Sequence, residues 1–134
     1  MSPVSGTAAF VIERRLPVGV PAAIARVKEA LQREGFGVLS EIDLKLKLKE
    51  KLGVEFEEYT ILGACHPPSA HRAVSIEESI GVFLPCNVLV HAAPGGSVIK
   101  AVRPAATLSI VGNPALTALG RDVEAMLERV VASA

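Results

Sequence analysis

Residues 61–90 read ILGACHPPSAHRAVSIEESIGVFLPCNVLV, and how this stretch folds decides what the rest of the chain can be. It carries both cysteines, Cys65 and Cys86, and two of the three histidines, His66 and His71. Residues 58–65 have a strand's composition: Tyr59, Ile61, Gly63 and Cys65 share one parity, and Thr60, Leu62, Ala64 and His66 the other. Pro67 and Pro68 stop that strand, and Pro68 suits the first turn of a helix, where a missing N–H costs nothing. Ala70, Ala73 and Val74 then form a small apolar stripe at helical spacing. Residues 81–90 are near-continuously apolar, as a buried central strand should be, with Val82, Leu84, Cys86, Val88 and Val90 on one face. Pro85 cannot donate to a ladder, so it predicts a bulge at residues 84–86. A strand, a short helix and a second strand would bring the two cysteine segments close together.

Working outward, residues 8–16 read as a strand with Phe10 and Ile12 on one face, followed by a turn around Gly19. Pro21 opens a helix over residues 21–34, with Ile24, Val27 and Leu31 as its buried stripe, Glu29 and Arg33 as an i,i+4 pair, and Gly35 as its stop. Residues 36–42 are the next strand. Residues 43–53 carry two patterns at once. Leu44 to Lys49 alternate as a strand does, yet Leu44, Leu48 and Leu52 stand at helical spacing, with Asp43 able to cap and Gly53 able to end such a helix. On the other side, Pro94, Gly95 and Gly96 mark a turn, and residues 97–103 form a strand that hairpins with 81–90. Residues 104–112 show no clear periodicity and read as a connector. Asn113 as cap and Pro114 as first helical residue open a last helix, whose stripe runs Leu116, Leu119, Val123, Met126, Leu127, Val130 and Val131. With no internal repeat and no linker, residues 1–134 are expected to form one domain, with 1–7 a loose start.

A length of 134 residues and 50% hydrophobic content suffice for a sizeable core. Aromatics are only 4%, so that core is built from Val, Leu, Ile and Ala, and the apolar surplus predicts a homodimer face. A formal net charge of zero argues against nucleic acid and anionic membrane as partners, which ask for a basic surplus. Lys45, Lys47, Lys49 and Lys51 read as a solvated face, since Glu50, Glu55, Glu57 and Glu58 surround them. The longest apolar run, residues 80–93, is too short for a membrane span. Two cysteines without a secretion signal point to reduced thiols and a cytoplasmic setting. Asn87, Asn113 and Gln32 are the sole amide side chains, a scarcity that fits a thermophile.

Three readings of the cysteines stand side by side: small apolar residues in a packed sheet, reactive or oxidisable thiols, and members of a metal or cofactor site. Cys65 precedes a helix N-terminus, which favours a thiolate, though Pro67 and Pro68 supply no N–H to it. No zinc spacing is present; Cys65 and His66, adjacent on a strand, point to opposite faces, and the best metal set would be Cys65, Cys86 and His71. His66 or His71 could act as a base toward Cys65, or make ordinary surface contacts. Asn87, a buried amide beside Cys86 on this reading, would be structural glue or a ligand contact. The segment 94–97, Pro-Gly-Gly-Ser, is a hairpin turn, since no P-loop lysine follows.

The motifs LGACHPPSAHRAV and LPCNVLV resemble the domain of unknown function family 302, whose members look like LGACNP, a short helix, then LPCNVVV. The resemblance spans roughly residues 10–131. It implies an α+β fold with a single antiparallel sheet of about five strands and helices mainly on one face, similar to the TATA-binding-protein-like arrangement. It also favours the helix over residues 43–53, and it implies no activity. His66 stands where members often carry Asn, Arg103–Pro104 where Asp–Pro is common, and Thr107 where Met is expected. The function expected is a homodimeric domain binding a small ligand, of unknown identity, near Cys65, His66, His71, Cys86 and Asn87. The alternatives are a thiol-based enzyme or redox protein and a structural or interaction module.

Overall fold

The computed structural model describes residues 9–134; the predicted loose start at 1–7, and Ala8, lie outside the described residues. The chain runs β1 (Val11–Leu16), α1 (Val20–Arg33), β2 (Gly37–Asp43), α2 (Leu44–Leu52), β3 (Tyr59–Cys65) and α3 (Pro67–Ile76). A 3₁₀ helix (Glu78–Phe83) follows, then β4 (Cys86–Ala93), β5 (Gly96–Val102), α4 (Pro104–Ser109) and α5 (Pro114–Ser133). The strands form one antiparallel sheet in the order β1-β5-β4-β3-β2. This is the expected α+β architecture.

Register fixes the two faces. Ile12 pairs with Ala101, Ala101 with Val88 and Val88 with Leu62, so these four share one face, and all are buried. Against it pack Val20, Ala23, Val27, Ala30 and Leu31 of α1 and the long stripe of α5, making one hydrophobic core. Ile24, expected in the α1 stripe with Val27 and Leu31, is only partly buried at the margin of the core, whereas Ala23 and Ala30 are fully buried. Arg33 hydrogen-bonds the Ser133 carbonyl, and Arg14 donates to the carbonyls of Val131, Ala132 and Ala134, so two cations close the C-terminal end of α5.

The ambiguous stretch is a helix. The Asp43 carboxylate accepts from Leu46 N at 3.0 Å, and Gly53 ends α2 in the left-handed region at φ +66°, where a side chain is costly. Asn113 caps α5, its side chain accepting from Ala115 N at 2.9 Å.

Four expectations need correction. The second strand begins at Cys86, not Gly81: residues 78–83 wind into the 3₁₀ helix, and Val82 is 84% exposed. Pro85 lies just before β4, and the bulge in the sheet falls on β2, between Val38 and Ser40. Hydropathy alone does not separate a buried strand from an apolar lip. Residues 104–112 are not a plain connector. α4 opens at Pro104 and is held to α5 by Glu124, whose carboxylate accepts from Ala105 N at 3.2 Å and from Arg103 Nη1 at 3.2 Å. Finally, Phe10 precedes β1 and is exposed, so it does not share a buried face with Ile12.

Among the described residues no helix is long and apolar enough to cross a membrane.

Candidate functional site

Antiparallel pairing brings the two cysteine motifs together at one end of the sheet. β3 and β5 run toward that end and β4 runs away from it. The last residues of β3 therefore stand beside the first of β4, with Ala64 opposite Cys86 and Gly63 opposite Asn87. Val102, ending β5, lies in the next strand over. Each outgoing strand is followed at once by a proline-started helix: Pro67 opens α3 and Pro104 opens α4. These helices and α5 roof the strand ends, leaving a cavity of about 310 Å³.

Four of the five sequence-predicted residues line it: Cys65, His66, Cys86 and Asn87. His71 does not; it is exposed on α3, and its carbonyl accepts from Ser75 Oγ. The three-residue metal set Cys65, Cys86 and His71 is accordingly not assembled, and among the described residues no group of three His, Cys, Asp or Glu is placed to hold a metal ion.

The two sulfurs are free thiols on opposite parities of the sheet. Cys86 shares the core face with Ala64 and packs against the core, whereas Cys65 is the last residue of β3 and borders the cavity from the strand end. Burial, and to a lesser degree the neighbouring Cys65, push the Cys86 thiol up from 9.0 to about 11. A thiol so placed is protonated at neutral pH and a poor nucleophile.

His66 is the residue before α3, and its Nδ1 lies 2.7 Å from Ser69 Oγ. Its ring sits 5.4 Å from that of Phe36 and within 3.4 Å of where a side chain on Gly35 would stand. The imidazole is thus held by a helix-start hydrogen bond and an aromatic neighbour rather than directed at Cys65 by a carboxylate. Asn87 is exposed, not buried, so water satisfies its amide and it needs no structural partner.

No Asp, Glu, Lys or Arg is among the described residues that line the cavity. Its far wall is mainly apolar: Leu108 of α4, which falls in the stretch expected to be a connector, Leu119 and Val123 of α5, expected only as core-stripe residues, and Val82 and Leu84 from the lip, expected on a strand face. The missed signal was Pro104, which marks a helix start after a strand just as Pro67 does. Gly120 seats α4 on α5, since a side chain there would lie 3.0 Å from Ala105 Cα and the Pro104 carbonyl oxygen.

A family model described as "Domain of unknown function DUF302" matches residues 12–134. The chain belongs to the DUF302 family. The crystal structure of an uncharacterised conserved DUF302 protein from Bacillus stearothermophilus is similar, at 31% identity over 92% of this chain and 97% of that one, with a TM-score of 0.87. No curated protein matches the chain. Family membership covers both cysteine motifs and every element that lines the cavity, so the pocket is part of the DUF302 fold here and not an appendage to it.

Proposed function

We propose that this DUF302 chain binds a small molecule in the cavity at the strand ends. One observation carries the reading: two separate motifs, singled out for their polar residues on otherwise apolar strands, border the same hollow. Native mass spectrometry of the protein purified from its own source tests it. A retained molecule that is released on denaturation supports the proposal, and its loss on narrowing the cavity with Ala70→Leu places it there. A protein that emerges bare and does not change on exposure to a metabolite extract counts against it. For Cys86 the thiol-enzyme alternative is the weaker reading, because burial raises its thiol to about 11.

A specific observation favours homodimerisation as a second feature. From Gly37 to Glu58 no residue is buried, although the stretch contains a whole strand and a whole helix. Val38, Leu39, Ile42, Leu46, Leu52 and Phe56 are all more than a third exposed. A nine-residue helix with no buried side chain draws little stability from its own chain. Its lysines are interleaved with Glu50, Glu55, Glu57 and Glu58, with Lys49 and Glu55 paired at 3.0 Å within the chain, so the patch carries no run of one sign to repel a second copy. Sedimentation of the Leu39→Glu/Leu46→Glu variant should show a monomer where the parent is a dimer; a monomeric parent removes the idea. We also read the chain as a cytoplasmic protein of a thermophile, a reading supported by the two free thiols and the scarcity of amide side chains.

A further inference from the structure

The site described above also limits what can occupy it, and the inference here rests on the reading of that cavity as a ligand site. Most of its polar groups lie where β3 ends and β4 begins: the two thiols, His66, Ser69 and Asn87. The opposite wall, from α3, α4 and α5, is aliphatic apart from Thr107, whose hydroxyl already donates to the Arg103 carbonyl at 3.5 Å, and Ala73, Leu108, Leu119 and Val123 are all nearly inaccessible to solvent. No Asp, Glu, Lys or Arg lines either side. An ionised ligand would leave water for a chamber that offers no counter-charge, and burying an unpaired charge is heavily penalised. A neutral ligand with one hydrogen-bonding head and an apolar body suits both ends, because a hydroxyl or carbonyl can use the amide, hydroxyl and imidazole groups of the strand end. Size is bounded as well. An apolar cavity of about 150 Å³ holds benzene, so 310 Å³ has room for roughly twelve heavy atoms.

We infer that the cavity takes uncharged amphiphiles of about two fused rings in size, with the polar head at the Cys65–Asn87 end and the apolar body against α4 and α5.

Naphthol, naphthoate and naphthylmethylammonium share a body and differ in the charge of the head. Titrating each into the protein in neutral buffer, followed by ligand fluorescence and by amide chemical shifts, separates the possibilities. Naphthol should bind with shifts at residues around Ala73, Leu108 and Val123, and both ions should bind more weakly by roughly a hundredfold or more. Narrowing the cavity with Ala73→Leu or, independently, Thr107→Leu should weaken naphthol at least tenfold; two positions on different helices guard against one variant that fails to fold. If naphthoate or the ammonium binds as tightly as naphthol, the neutral-ligand inference is wrong while the ligand site stands. If naphthol binds equally well to both narrowed variants, it sits elsewhere and the inference falls. If no probe, and not even xenon, perturbs the cavity residues, both the inference and the proposed function fall.

Discussion

Cys86 offers the sharpest test of how the strand-end environment acts on chemistry. Its thiol is raised from 9.0 to about 11, chiefly by burial and secondarily by Cys65. At any pH well below 9 that difference leaves about a hundredfold less thiolate than an ordinary cysteine carries. The assay is alkylation by iodoacetamide in the Cys65→Ser variant, which keeps one thiol, followed by intact mass in native buffer and in denaturant. Removing Cys65 relieves only the smaller cause, so the native rate should remain close to a hundredfold below the denatured rate. Steric shielding would also slow labelling, and the pH profile separates the two effects. A shielded but ordinary thiol plateaus near pH 9, whereas the thiol described here keeps gaining about tenfold per pH unit until near 11. A plateau near 9 would refute the argument even if labelling were slow.

The same shift has a consequence for stability. The folded state holds the Cys86 proton more tightly than the unfolded state, so between pH 9 and 11 the folded protein binds more protons. The contribution is therefore complete below pH 9 and is lost as pH rises through 11, up to about 2–3 kcal/mol. Urea melts of the parent should weaken over this window more steeply than those of Cys86→Ser. Parallel slopes would show that burial is not what holds the proton.

Further outcomes follow from single contacts. Gly63→Ala should destabilise the fold by about 1–3 kcal/mol in urea melts, because a side chain there would overlap Ser40 Oγ and lie 2.9 Å from Pro85 Cγ. Asn113→Ala should cost about 1 kcal/mol by the same measurement, since it removes the acceptor for Ala115 N at the start of α5. Gly120→Val should lift α4 from α5 and speed amide exchange in residues 105–109, while exchange in β3 and β4 stays unchanged. Unaltered exchange in α4 would mean that the Gly120 contact does not set the cavity wall.

Most of the fold was legible because local signals and global packing agree. The Pro67–Pro68 pair, the Asn113–Pro114 start and the stripe of α5 each specify an element without reference to distant residues, whereas residues 43–53 carry both a strand and a helix pattern and only the family resemblance favours the helix. The misread segments are those where hydrophobicity serves something other than a core face. Val82 and Leu84 are as apolar as Val88 and Val90, yet the first pair forms the cavity lip and the second pair fills the sheet. Phe10 shows the same limit from the other direction, since a large apolar residue near a strand end need not be buried.

The site was half legible for a physical reason. Cys65, His66, Cys86 and Asn87 stand out because polar or reactive groups on apolar strands need an explanation. The rest of the lining consists of residues that any core would contain, such as Leu108, Leu119 and Val123, and nothing local distinguishes a leucine facing a cavity from one facing another leucine. That distinction arises only from register. Ala64 stands opposite Cys86, and α3 and α4 both follow strands that end on this side, so residues of both helices line the cavity at the strand ends. Ala64, Ala70 and Ala73 are the alanines on that side; Ala64 and Ala73 are buried in the core, and Ala70 is half-buried at the cavity. Ala70→Leu should therefore narrow the cavity and leave the empty protein at least as stable in urea melts, and a clear loss of stability would show that the hollow has no room for a larger side chain.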